Sequence, residues 1–315
     1  MIMKLAFLRY LVGDAGNIQR LYWAVKSAAE SATDDVKKQW AVFLRLYGKS
    51  SGLASLRSAE PHFSLARELN FLEWRSRWRV TNGPGKALLA LWDNEKPPRY
   101  LILGQLITYD HSFLIPFLRR IIEKQPQDSE LVKVASKITK EVWLKLSAKY
   151  KSEFVSTEPP LPLDPKDRTC DHHARARLRL LLGFPNNEGL NLTWQQISKV
   201  TEEFNDSDEN WPPSDYYFRL GRALSSRKPE EVSDEELLKK NFDAFRVLKG
   251  FTYASVKAAF HYINERALPD YAVDWNQYQT AIRKDVSLSF HQGFSRDDFL
   301  FTIKEGGTKS AARTG

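Results

Sequence analysis

The stretch RSRWRVT, residues 75–81, is where the first third of the chain changes period, and that change limits the folds open to it. Ser76, Trp78 and Val80 fall on one side of a period-two alternation and Arg75, Arg77 and Arg79 on the other, the pattern of a half-buried strand. Its charged side excludes a strand covered on both faces, as in a large parallel sheet. What precedes it is helical. Asn17 to Ala32 carries Ile18, Leu21, Tyr22 and Val25 at helical spacing, and Thr33-Asp34-Asp35 is a capping run ahead of Val36, Trp40, Phe43 and Leu44, with Gly48 as the stop. After KSSG and the short segment LASLRS, Pro61 stands just inside the start of a third helix that is expected to run to about Trp74.

The remainder also reads as helices. YLILGQLITYDHSFLIPFLRRIIEK is expected to form a buried helical pair and SELVKVASKITKEVWLKLSAKYKSEF a long amphipathic helix. STEPPLPLDPKD, with prolines from Pro159 to Pro165, cannot be regular structure and is the best domain boundary. Beyond it come the basic helix ARARLRLLLGF, the turn PNNEG and the segment LNLTWQQISKV. An acidic loop, EEFNDSDENWPP, then leads to a C-terminal helical region that includes SVKAAFHYINERA. That region is expected to close with a strand, VSLSF, and a Ser295-capped helix, SRDDFLFTIKEG. This divides the chain into residues 1–95, a connector at 96–157, a second unit at 158–212, a C-terminal region at 213–305 and a tail at 306–315 expected to be disordered. The N-terminal run MIMKLAFLRYLVGDAG is broken by Lys4, Arg9 and Asp14, so it reads as a first helix rather than a leader or a membrane span. No other run reads as long enough to cross a bilayer. A weak repeat links the two halves: Leu69-Asn70-Phe71 and Leu182-Gly183-Phe184 each end a basic helix, and Thr81 and Thr193 follow each Phe at 10 and 9 residues.

The turn after the strand, TNGPGKALLALW, invites a nucleotide reading, because a phosphate-cradling loop pairs glycines with a lysine at a helix start. That motif requires glycine where Val80 stands and Ser or Thr where Ala87 stands, so it fails at both positions. The succession ARELNFLEW, RWRVT, turn and GKALLAL instead resembles the winged-helix DNA-binding superfamily. The resemblance covers about residues 35–93 and, more faintly, 168–204. It implies a mainly α fold of tandem winged-helix-like units with small β-wings, followed by the C-terminal helical region, and binding to nucleic acid or to protein partners.

The charge points the same way. Lys and Arg outnumber Asp and Glu by 47 to 39, a net +8, which favours polyanionic partners. On the first unit, His62, Ser64 and Arg67 are candidates for reading base edges, while Arg75, Arg77, Arg79 and Lys86 are candidates for phosphate contact. On the second, His172, Arg175 and Arg179 share a helical face that Arg177, about 200° from each arginine, does not join. Double-stranded DNA is the expected partner, and a subunit of a defence or replication assembly the expected setting. A scaffold whose winged helices bind proteins is the alternative. So is a metal-dependent nuclease with an unrecognised active site.

Other chemistry is not visible. Asp171-His172-His173 lacks the upstream aspartates a two-metal phosphoesterase needs, and Cys170 with its two neighbouring histidines falls short of four convergent zinc ligands. Asp164-Pro165-Lys166 and Asp93-Asn94-Glu95-Lys96 have nuclease-like spacing but not on strands. No Gly-x-Ser-x-Gly occurs. These readings leave no catalytic residue, cofactor or metal to expect. One cysteine permits no internal disulfide, which fits a reducing, cytoplasmic setting. Trp74, Trp78, Trp92, Trp194, Tyr216 and Tyr217 read mainly as core packing, with Trp74 and Trp211 the ones expected at the surface.

Overall fold

The computed structural model describes residues 5–31, 35–47, 58–92, 96–204, 215–224, 232–248, 253–268, 270–292 and 299–303. The fold is mainly helical, with two small antiparallel sheets.

Helix α1, Ile18–Glu30, opens at Asn17, whose side chain accepts a hydrogen bond from the Arg20 amide, and buries Leu21, Ala24, Val25 and Ala28. Helix α2, Val36–Leu46, is capped in the same way by Asp35. Helix α3, Glu60–Glu68, carries Pro61 in its first turn and stops well short of Trp74. The cause is local. Asn70 adopts a left-handed φ of 59°, its amide donates to the Arg67 carbonyl and the Phe71 amide donates to the Ala66 carbonyl. That pair of reversed bonds closes the helix and turns the chain. Strands β1, Leu72–Arg75, and β2, Arg77–Val80, form the hairpin that follows, and helix α4, Pro84–Leu91, packs behind it.

Helix α5, Arg99–Lys124, is one continuous 26-residue helix carried through Pro116, where the sequence reads as a helical pair. It is long and apolar enough to cross a membrane by length and composition, and 72% of its apolar window is buried inside the fold. Helices packed against α5 along its length hold both sides of the proline: α6 (Leu131–Lys149), α9 (Trp194–Glu203), α10 (Asp215–Leu224) and α12 (Val256–Ala267). Helix α7, Lys151–Ser156, follows α6 after a break at Tyr150, and α8, Asp167–Leu182, packs along α6. The proline-rich segment between α7 and α8 has no regular structure. It is nonetheless fastened to α6, where the Trp143 indole donates to the Pro162 carbonyl and the Ser147 hydroxyl to that of Leu163. Within 158–204, the described residues form α8 and α9 and no strand, so the hairpin of the first half has no counterpart there.

Helices α11, Asp234–Leu248, and α13, Trp275–Lys284, complete the C-terminal region with α12 and a three-stranded sheet. In that sheet β5, Phe299–Ile303, lies between β3, Ala254–Ser255, and β4, Leu288–Gln292. VSLSF therefore does contribute a strand, but the segment expected as a helix after Ser295 is also a strand. Its aromatic and β-branched run suits a central strand paired on both sides, and Phe301 is fully buried. Ser295, Trp211, Gly48, residues 53–57 of LASLRS, Thr33, Asp34 and the tail from Gly306 lie outside the described residues.

The N-terminal run is not a helix either. Residues 5–12 have no regular structure, bend at Arg9 and Tyr10, and lead into a single 3-10 turn, Gly13–Gly16. Their amides are taken up by side chains: Leu5 donates to Glu153, Ala6 to the Ser112 hydroxyl, Leu8 to Asp110, and Arg9 and Tyr10 to the two carboxylate oxygens of Glu68. Backbone groups paired by distant side chains do not need a helix to satisfy them.

Candidate nucleic-acid interface

The hairpin pairs Leu72 with Val80, Glu73 with Arg79, Trp74 with Trp78 and Arg75 with Arg77. Residues directly opposite in an antiparallel pair share a face, so Glu73, Arg75, Arg77 and Arg79 stand together. Leu72, Trp74, Trp78 and Val80 form the other face. Trp78 is 6% exposed, with its ring beside Phe63, and the half-exposed Trp74 covers it at a centroid distance of 4.8 Å. The alternation read from the sequence therefore holds, although Arg75 lies on the outgoing strand and Ser76, with a left-handed φ of 60°, at the tip. Gln39 on α2 fastens the hairpin from the side: its amide nitrogen donates to the Trp78 carbonyl at 2.8 Å and its oxygen accepts from the Trp78 amide at 3.1 Å. This occupies backbone groups that an edge strand would otherwise leave open.

The turn after the hairpin is closed to a phosphate. Thr81 donates its hydroxyl to the Asn70 carbonyl and accepts from the Gly85 amide at 2.9 Å; the Lys86 amide donates to the Thr81 carbonyl and that of Ala87 to Gly83. The amides that a cradle would aim at an anion are thus engaged within the turn. Glycine is required at 85 for a different reason. A Cβ there would lie 2.2 Å from the Phe71 carbonyl oxygen and 2.7 Å from the Thr81 hydroxyl, so the first turn of α4 sits directly on the base of the hairpin.

Beside this turn, a cleft of about 370 Å³ opens between the hairpin and α12, lined by Asn70, Glu73, Arg75, Arg79, Asn82 and Lys257 among others. Arg75 meets Glu73 at 3.1 Å with both side chains well exposed, a pairing that solvent weakens. Three cations face one carboxylate here. Lys257 was not among the sequence candidates. It lies in SVKAAFHYINERA, far along the chain, and only the packing of α12 against the 83–84 turn brings it in.

The other sequence candidates are distributed differently. His62 and Ser64 are only 7% and 4% exposed, because the face of α3 that carries them packs into the core, and His62 lies against the Phe43 ring. Neither presents an edge to a base. Arg67 is exposed, with its guanidinium 5.9 Å above the Trp78 ring, and Lys86 is half-buried on α4. The basic helix α8 is largely committed to the fold. Arg175 pairs with Asp171, and Arg179, 17% exposed, bonds Asp14 and the Gly13 carbonyl. Hydrogen bonds from Arg20, with help from Arg179, hold the Asp14 carboxyl down at about 2. Arg177 is fully buried. It grips Asp110 through two hydrogen bonds and accepts no solvent, while burial pushes the Asp110 carboxyl up and the guanidinium opposes that. His172 remains exposed, and neither it nor Arg175 nor Arg179 lines the cleft.

His173 lies in the core against Trp143 and Phe7, where burial pulls its imidazole well below the usual range, and Cys170 is buried as well. Among the described residues no group of His, Cys, Asp and Glu is placed to hold a metal ion. Trp194 is 38% exposed, whereas Tyr216 and Tyr217 are buried with both hydroxyls on Nδ1 of His261.

Fold and site together define a mainly helical protein with a basic hairpin standing beside a cationic cleft. No protein-family model, no curated protein and no solved structure matches the chain.

Proposed function

We propose that the chain binds the phosphate backbone of double-stranded DNA through the arginine face of the β1–β2 hairpin, with residues 18–91 acting as a winged-helix-like unit and the hairpin as its wing. One observation carries the reading: the cross-strand register gathers Arg75, Arg77 and Arg79 on one face, and Lys257 joins two of them at the cleft. Helix α3 offers Arg67 outward while His62 and Ser64 face the core, so contact is to phosphates rather than to base edges and sequence preference is weak. Fluorescence anisotropy with a labelled duplex over a range of salt tests this. Each phosphate contact contributes about −0.9 to the slope of log K against log salt, so changing all three arginines to Ala reduces the slope by about 2 to 3 units. Absence of duplex binding at low salt, or an unchanged slope in the triple variant, removes the proposal.

A second reading, a scaffold that binds protein partners, is favoured by a different surface. Ile121, Ile122, Pro126 and the partly exposed Trp194 line a mostly apolar cleft of about 300 Å³ at the C-terminal end of α5. Co-purification of another chain, together with no affinity for duplex DNA, supports this reading over the first.

A further inference from the structure

A second cleft, of about 410 Å³, lies away from the hairpin, where the start of α1 meets the ends of α2 and α4 and the loop before α9. Its walls include Asn17, Arg20, Trp23, Tyr47, Trp92 and Asn187. We infer that this cleft is a binding site for a nucleobase.

The volume falls in the range of small-ligand sites, and its position at the junction of two parts of the chain is where such sites occur. Its rings are held in place. The Trp92 indole lies flat on Tyr22, with centroids 4.1 Å apart and 5° between planes, and the Arg20 guanidinium sits 4.4 Å from the centre of the Tyr47 ring while Asp14 holds it at 2.8 Å. Trp23 leans on the Tyr47 ring with centroids 5.9 Å apart, so three packed aromatic side chains line the cleft and suit a flat ring, and carboxamides carry the paired donor and acceptor that a base edge requires. The loop supplying the amide is fixed as well. Asn187 has a left-handed φ of 55° and Asn191 one of 51°, and the adjoining Glu188 carbonyl accepts from the Ile18 amide at 3.1 Å. Asn is the non-glycine residue that tolerates this region best, so the turn holds the loop in place without strain. A lipid tail or aliphatic ligand does not account for amides and a guanidinium among the walls.

The base has two available sources, a free nucleotide or a base extruded from a nucleic acid, and the test separates them. Isothermal titration calorimetry of the full chain is run with AMP, GMP, CMP and UMP, and separately with a duplex carrying one unpaired base against the same duplex fully paired. Two variants accompany it. Trp23→Ala removes a stacking wall, and Asn187→Gly removes the amide while suiting the left-handed backbone. Binding of a mononucleotide, weakened about tenfold or more in both variants, supports the site with free nucleotide as its source. Preference for the unpaired-base duplex, lost in both variants, supports it with nucleic acid as its source. If Trp23→Ala fails to fold, Asn187→Gly alone decides. No binding in either arm, or affinities unchanged in a folded variant, overturns the inference. Absence of duplex binding by the parent chain at low salt, with mononucleotide binding intact, would remove the hairpin proposal and leave this one standing.

Discussion

Arg177 and Asp110 meet in the core with neither side chain exposed, Nε and Nη2 of the guanidinium reaching the two carboxylate oxygens at 2.9 and 2.8 Å. The Leu8 amide adds a third hydrogen bond to the same carboxylate, and the Phe113 ring lies 4.2 Å from the guanidinium carbon. The pair therefore joins α8 and α5 and fastens the irregular N-terminal run to both. Removing one partner of a buried ion pair strands the other charge, so Arg177→Met is expected to cost about 3 to 5 kcal/mol in urea unfolding. Asp110→Asn in the Arg177→Met background should recover part of that loss, because the stranded charge is gone. A single variant as stable as the parent chain contradicts this account.

Gly85 is expected to be intolerant of even one methyl group. The Cβ of an alanine would fall 2.2 Å from the Phe71 carbonyl oxygen, and both that backbone and the turn of α4 are fixed by the Thr81 bonds. Gly85→Ala should lower stability by about 1 to 3 kcal/mol, the range for forced overpacking. Gly83→Ala meets the Lys257 side chain at 3.2 Å and the His261 ring at 3.9 Å, with no backbone atom among them, and should cost less. Thermal melts of the two variants side by side give the comparison, and equal melting temperatures would refute it.

The sequence made the hairpin's arginine face legible because period-two alternation survives the reversal at Ser76, where the register keeps Arg75 beside Arg77. Helix starts at Asn17 and Asp35 were legible for a similar reason, since a capping side chain acts on amides two or three residues away. Long-range features were not. Nothing near Arg9 or Tyr10 signals that Glu68 will accept their amides, and so the N-terminal run reads as a helix. The burial of Arg177 needs Asp110 from another helix, and Lys257 reaches the cleft only through tertiary packing. Phe299–Ile303 carries strand-forming residues, but its partners β3 and β4, which make it a central strand, are brought together only by tertiary packing.

Stability should fall as the pH rises from about 6.5 to 8. Burial raises the Glu68 carboxyl to about 7 and the Glu265 carboxyl to about 8, so the folded chain keeps two protons that the unfolded chain, with carboxyls near 4.5, has released. Stability from these groups is full below 4.5 and is lost as the pH passes through each folded value. His261 acts oppositely, because burial lowers it to about 3 and the unfolded imidazole binds a proton up to about 6.5. Its effect is complete above that value, which leaves the carboxylates to set the slope. Glu265 also accepts from the Leu101 amide in the first turn of α5, so Glu265→Gln keeps an acceptor there while removing the titration. Melting temperatures measured at several pH values should fall less steeply in Glu265→Gln than in the parent, with Glu68→Gln flattening the part up to about 7. Parallel profiles for parent and variants would rule this out.

Under the proposed duplex binding, Lys257 offers the sharpest check on which part of the basic surface is used. It lies on α12 with its stem against the 83–84 turn, and it lines the cleft together with Arg75 and Arg79. If phosphates enter the cleft, Lys257→Met, which keeps the apolar stem and removes the charge, should lower duplex affinity at low salt and reduce the salt slope by about 1 unit. Stability should hardly change, because the stem packing is retained. If the backbone instead runs only along the outer face of the hairpin, the arginine variants lose affinity and Lys257→Met does not. Anisotropy titrations of the two variants over the same salt series distinguish these docking modes, since one removes cleft charge alone and the other the whole arginine face.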